Sequence, residues 1–215
     1  MKDCPVMWTS IHHEKIHHWR KMFVISNIIL ILICAFFYAG WYQESNKQVE
    51  VNTLQLQLKD YKVRNEILTV LRTKGIILNQ GLDIADALMI QCRDKNIPIE
   101  LGIAIMRRER GYDQLEISSA GARGLMQLLP ETFDIINHRL KLGLPRSAII
   151  DPIINIKFAV IHLADLIEEV KPRSKTIDEM WKNVLVRYSG NARGYPEAVV
   201  KMKKEYEVKF RDGEI

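Results

Sequence analysis

The chain has 215 residues, a formal net charge of +5 and a pI near 9.0, enough for one good domain plus appendages. That modest positive charge suits an anionic partner such as a membrane surface or a cell wall, and does not argue for nucleic acid. The three cysteines (Cys4, Cys34, Cys92) are scattered and show no zinc-ligand spacing, and there is no P-loop, so neither a disulfide framework nor a phosphate cradle is indicated.

Residues 1–21 form a short tail holding His12, His13, His17 and His18. His13 and His17 share a helix face, but only Glu14 accompanies them as a possible further ligand. The tail therefore reads as a weakly basic cytoplasmic segment, with no metal expected. Residues 22–42 are apolar apart from Ser26 and Asn27. About 20 such residues at roughly 1.5 Å each span a hydrocarbon layer of about 30 Å. Trp19, Tyr38, Trp41 and Tyr42 sit near its ends, where amphipathic rings favour the lipid boundary. Lys15, Arg20 and Lys21 precede it, which predicts a single-pass inner-membrane anchor with a cytoplasmic N-terminus and an exported C-terminal bulk. Its length, and the lack of a small-x-small cleavage pattern, argue against a removed signal peptide.

Residues 43–75 are polar, with Val51, Leu54, Leu58, Tyr61 and Leu68 at three- and four-residue spacing. That pattern predicts a helical stalk, either self-associating through residues 51–68 or lying on the domain that follows. Gly75 and Gly81 bracket the expected entry to a globular region at 76–215. From residue 82 the pattern is helical throughout. Ile84, Ala87, Leu88 and Cys92 share one face. Between Pro98 and Gly111 lies a helix apolar nearly all round (Ile99, Leu101, Ile103, Ala104, Ile105, Met106), which should be buried. Pro130 can open the next helix, and Asp151-Pro152 reads as a cap followed by a first-turn proline. Residues 177–188 and 196–210 complete a mainly α domain with no alternating strand.

Glu109 stands at the end of the buried helix, above Gly102, Ile105 and Met106. An apolar setting and the negative end of a helix dipole both favour a protonated carboxyl, which is what a general acid needs. Arg107, Arg108 and Arg110 oppose this. Arg108 and Arg110, as immediate neighbours, point about 100° away around a helix.

The segment from Glu109 to Pro130, with Ser118-x-x-Gly121-Ala122-x-Gly124-Leu125-Met126-Gln127-x-x-Pro130-x-Thr132, resembles the signature of the soluble lytic transglycosylase family. Arg187-Tyr188-Ser189-Gly190-Asn191 is similar to that family's Ala-Tyr-Asn-x-Gly. Asp151-Pro152 with Asn155-Ile156 is similar to the structural motif between the two. The resemblance spans about residues 82–205. It implies a lysozyme-like helical fold, no metal or cofactor, and Glu109 as general acid and then base. The reaction would cleave the bond between N-acetylmuramic acid and N-acetylglucosamine in peptidoglycan, leaving a 1,6-anhydro end. It further implies substrate contacts from Tyr112, Ser118, Met126, Gln127, Tyr188 and Ser189, with the Tyr188 hydroxyl directed at the acid. The chain departs from the family pattern at Arg110 and Ser189, where Ser and Asn are usual. Those departures leave a glycan-binding or assembly module as the alternative. Asp113, Glu116 and Glu131 stand as candidates for a second carboxylate. An anchored enzyme of this kind suits an envelope-spanning machine that must cross the wall.

Overall fold

The computed structural model describes residues 6–109 and 117–211, with side chains from residue 19 onward. The histidines of the tail fall outside the described side chains. The chain divides into two compact units, residues 1–56 and 57–215, and one helix, α1 (Val6–Thr73), contributes to both.

In the first unit α1 carries the apolar run. The helix from Trp19 contains an 18-residue window of mean hydropathy 2.5, none of it buried. Among the described residues it is the one helix long and apolar enough to cross a membrane. The two polar interruptions each bond back to the helix. Ser26 Oγ and Asn27 Nδ2 both donate to the Phe23 carbonyl, at 2.9 and 2.8 Å. Each side chain thereby turns one donor back onto the helix backbone, which lowers the cost of placing it in an apolar surrounding. Tyr38 lies against Trp41 and stacks on Tyr42, with ring centroids 6.1 and 6.4 Å apart, which forms an aromatic cluster at the end of the run.

The second unit is mainly α, as the sequence predicts. Its helices are the end of α1 together with α2 (Leu78–Asp94), α3 (Ile99–Arg108), α4 (Pro130–Leu140), α5 (Pro152–Val170), α6 (Ile177–Tyr188) and α7 (Tyr195–Arg211). The sequence signals act where expected. Pro130 occupies the first turn of α4. Asp151 Oδ1 accepts from the Ile153 and Ile154 amides at 3.0 and 2.9 Å, capping α5. Thr176 Oγ1 accepts from Glu179 N–H at 3.1 Å, while Glu179 Oε2 takes the Lys175 amide at 2.8 Å, a variant of the capping box at the start of α6.

Helix α3 is the buried centre. Leu101, Ile103, Ala104, Ile105 and Met106 are fully enclosed, packed along α7 on one side and α2 on another. Gly102 is required there, because a Cβ would stand 2.8 Å from Cys92 Sγ. Glu100 is buried as well, which the apolar pattern does not foretell. Lys59 Nζ lies 2.7 Å from Glu100 Oε1 and offsets the cost of that buried charge.

The end of α1 packs on a different face from the one its spacing suggests. Val63, Ile67 and Leu71, one helical turn apart, are buried in the core, whereas Val51, Leu54, Leu58 and Tyr61 are exposed. Leu68 meets Gly81, which is no linker residue: it lies inside α2, and a Cβ there would come 2.8 Å from Leu68 Cδ2. Arg93–Asp60 (3.0 Å), Arg64–Asp86 and Lys209–Glu66 add charged contacts between this segment and α2 and α7. Burying three aliphatic side chains contributes about 1.5–3 kcal/mol each. Residues 57–73 are thus part of the second unit's core.

Candidate active site

Glu109 follows the last residue of α3, and its amide still donates to the Ile105 carbonyl at 2.8 Å. With φ −80° and ψ 72° the backbone leaves the helix at this residue. The carboxyl is half-buried and its Oε1 accepts from the Tyr195 hydroxyl at 2.5 Å. Tyr195 opens α7 after Gly194, which has φ +74°, and is 5% exposed. The packing of α3 along α7 brings the two side chains together.

Burial raises the Tyr195 pKa, and the charge of Glu109 adds to the effect. The phenol therefore stays a neutral donor throughout the physiological range. Arg108 acts in the opposite sense from above the ring, with its guanidinium carbon 5.9 Å from the Tyr195 centroid. It does not turn away from the site as its helical position suggests, but reaches it by way of Tyr195. Arg107 turns to Tyr206, donating to its hydroxyl at 3.1 Å.

Tyr188, at the end of α6, is also beside the acid. Burial raises its pKa, and Glu109's charge raises it further. Its hydroxyl, however, donates to the Met126 carbonyl at 2.7 Å. The expectation that Tyr188 points its hydroxyl at the acid is corrected here: Tyr195 does so, and Tyr188 fastens the glycine-rich loop instead. His162 of α5 lies against the Tyr188 ring, with centroids 5.8 Å apart.

The loop itself is two tight turns joined by isolated bridges, Ile117 with Arg123 and Arg123 with Leu128. Ser118 closes the first turn. Its Oγ accepts from Ala122 N–H at 3.0 Å, which leaves the hydroxyl proton for another acceptor. Buried Asn155 of α5 holds the second turn. Its Oδ1 accepts from Met126 N–H at 2.8 Å, and its Nδ2 donates to the carbonyls of Arg123 (2.9 Å) and Ile149 (2.8 Å). Gly124 permits this approach. It has φ +78°, and a Cβ would sit 2.4 Å from Asn155 Nδ2, where no side chain fits.

The remaining expected site residues fall as follows. Met126 is fully buried, so its side chain is part of the core beneath the loop. Gln127 is half-buried in the left-handed region at φ +47°, with Nε2 donating to the Gly124 carbonyl at 3.1 Å. A non-glycine residue held this way is uncommon and concentrates at ligand-contacting sites. Ser189 caps the end of α6, its hydroxyl bonded to Val186 O and to Ala192 N–H at 3.1 and 3.3 Å. Asn191 takes the family's glycine position at φ +67°, a conformation that Asn tolerates better than most residues. Glu131 is exposed in the first turn of α4. Arg110, Tyr112, Asp113 and Glu116 lie outside the described residues.

The sequence reading missed Tyr195 and the approach of Arg108. The signal for Tyr195 is slight: a tyrosine between Gly194 and Pro196 at a helix start reads as an ordinary packing aromatic.

The family described as Transglycosylase SLT domain matches residues 89–191, which include Glu109, the loop and Tyr188, while Tyr195 lies just beyond. A lytic transglycosylase Slt from Pseudomonas aeruginosa, solved by X-ray as an inactive mutant, is similar at 18% identity and a TM-score of 0.46. The similarity covers 58% of this chain and 24% of that one. The chain thus spans about a quarter of that enzyme's length. No curated protein is significantly similar.

Proposed function

We propose, proceeding from the match of residues 89–191 to the family described as Transglycosylase SLT domain, that the chain is a membrane-anchored peptidoglycan lytic transglycosylase. Glu109 is its acid and base. The observation that carries this reading is the half-buried Glu109 carboxyl, fixed by the Tyr195 hydroxyl at 2.5 Å beside Tyr188 and the glycine-rich loop. Protonated Glu109 gives its proton to the oxygen between N-acetylmuramic acid and N-acetylglucosamine as the C1–O bond breaks. The resulting carboxylate accepts the proton of the muramic C6 hydroxyl as that oxygen bonds C1. The glycan then ends in a 1,6-anhydro ring, and no water is consumed. The substrate's acetamido group assists at C1, in place of a second carboxylate.

Tyr195 aims the carboxyl and stays neutral through both steps. The Ser118 hydroxyl and the Gln127 carboxamide offer donors for sugar hydroxyl and acetamido groups, with Tyr112 and Ser189 as further contacts. The apolar helix at residues 22–42 inserts in the cytoplasmic membrane and sets the catalytic unit on its outer side. The exposed Val51, Leu54, Leu58 and Tyr61 supply an apolar edge for self-association or for docking to an envelope-spanning assembly that must pass the wall.

The test is mass spectrometry of peptidoglycan digested by the full chain in detergent. Anhydro-muropeptides are expected. Reducing ends instead would mean a hydrolase, and would sink the lyase mechanism.

A further inference from the structure

A cavity of about 560 Å3 between the end of α5 and α6 takes no part in the chemistry above. Its size is within the roughly 300–1,000 Å3 of ordinary ligand sites. It is lined by Val170, Arg173, Asn183, Val186, Arg187 and Asn191. The two valines give it an apolar floor, and the carboxamides and guanidiniums give it a polar rim. Arg187 Nη1 donates to Glu169 at 2.5 Å, which neutralises its charge but leaves other N–H donors of the guanidinium. Arg173 makes no ion pair among the described residues, so it brings the net positive charge. Lys171 and Lys175 flank it, with no acidic residue between 170 and 177.

The cavity is also next to the site. Asn191 belongs to the turn that directly follows Tyr188, and its amide returns to the Val186 carbonyl at 2.8 Å. The cavity lining thus includes Arg187 and Asn191, which flank Tyr188 in the chain, and Tyr188 senses the charge of Glu109. A site with cationic and carboxamide donors over an apolar floor suits a short acidic peptide containing small apolar residues.

We infer that the cavity holds the acidic peptide stem carried by the muramic acid of peptidoglycan. Arg173 pairs a stem carboxylate, Asn183 and Asn191 take backbone amides, and Val170 and Val186 receive alanine methyls. This rests on the peptidoglycan reading above. Reach is sufficient: a four-residue stem extends about 14 Å at roughly 3.4 Å per residue, enough to pass from a sugar beside Tyr188 across one turn of chain.

The test uses the full chain carrying Glu109→Gln in detergent micelles, so that binding is read without turnover. Calorimetry compares a disaccharide tetrapeptide with the same disaccharide lacking its peptide. The stem-bearing ligand is expected to bind more tightly, and Arg173→Ala to lower the ratio of the two affinities about fivefold, or about 1 kcal/mol. Amidating the stem carboxylates should cause a similar loss with Arg173 intact. Equal affinity for the two ligands, or an Arg173→Ala loss shared equally by both, would overturn the inference. A chain that binds stems in this pattern but never cuts sacculi would retain the cavity assignment and lose the lyase. One that cuts but ignores the stem would do the reverse.

Discussion

Asn155→Ala should loosen the whole glycine-rich loop, and the structure allows its cost to be worked out. The side chain is fully buried and makes three hydrogen bonds, to Met126 N–H, Arg123 O and Ile149 O, all between 2.8 and 2.9 Å. Alanine leaves one amide and two carbonyls without that partner. A buried group stripped of its hydrogen bond costs about 1–3 kcal/mol, with carbonyls toward the lower end because they hold a second lone pair. The expected sum is about 3–5 kcal/mol, set against a domain stability of roughly 5–15 kcal/mol. For a unit of this size that is a fall in melting temperature of about 6–20 °C. Thermal unfolding of residues 57–215, followed by circular dichroism, measures it. Asn155→Asp serves as a companion: it retains the acceptor for Met126 but presents oxygen to the two carbonyls, so it should also destabilise. Sacculus solubilisation should fall in both variants, since Tyr188 is fastened to the Met126 carbonyl. An Asn155→Ala protein melting with the wild type would refute the claim that this residue latches the loop.

Tyr195→Phe removes a hydrogen bond to a charged group, worth about 1.5–3 kcal/mol, with no change in packing. Turnover on sacculi should drop about 10- to 100-fold, with a melting temperature lower by about 3–12 °C. Tyr188→Phe should act instead mainly on stability, and a larger turnover loss for Tyr188→Phe would reverse the assignment of the two hydroxyls. A fragment starting at residue 76 loses the burial of Val63, Ile67 and Leu71, about 5–9 kcal/mol in all. It should be unfolded or aggregated where residues 57–215 are soluble and cooperative; equal melting curves would count against the packing described. Burial, with Glu100 nearby, pushes the Cys92 thiol up to about 12, so its reactive thiolate is scarce at pH 8. Cys92 in native residues 57–215 should resist a thiol reagent that labels it quickly in denaturant, and rapid native labelling would contradict its enclosure.

Much of the architecture was legible because it rests on local rules. The apolar run at 22–42, the all-round apolar α3, the Pro130 and Asp151-Pro152 helix starts and the loop glycines each follow from the chemistry of neighbouring residues. What escaped depends on contacts between distant parts of the chain. Tyr195 meets Glu109 across 86 residues of sequence, and nothing in its local pattern separates it from a core aromatic. Glu100 reads as a surface residue until Lys59 is seen beside it. In α1 two interleaved apolar sets, one through Leu54, Leu58 and Tyr61 and one through Val63, Ile67 and Leu71, have nearly the same period. Only the presence of α2, α3 and α7 decides which is covered. Arg108 escaped for a related reason: helical angle places its Cβ away from Glu109, but a long guanidinium side chain reaches the Tyr195 ring, and that ring is the site's wall.

The most direct measurement of the central claim is sacculus solubilisation by the full chain with Glu109→Gln, beside the wild type, each first shown to be folded by its melting curve. With Glu109 as acid and base, the rate should fall by about 10²- to 10⁴-fold at unchanged stability. A folded Glu109→Gln protein that releases muropeptides at the wild-type rate would contradict the assignment and move the chemistry to another residue.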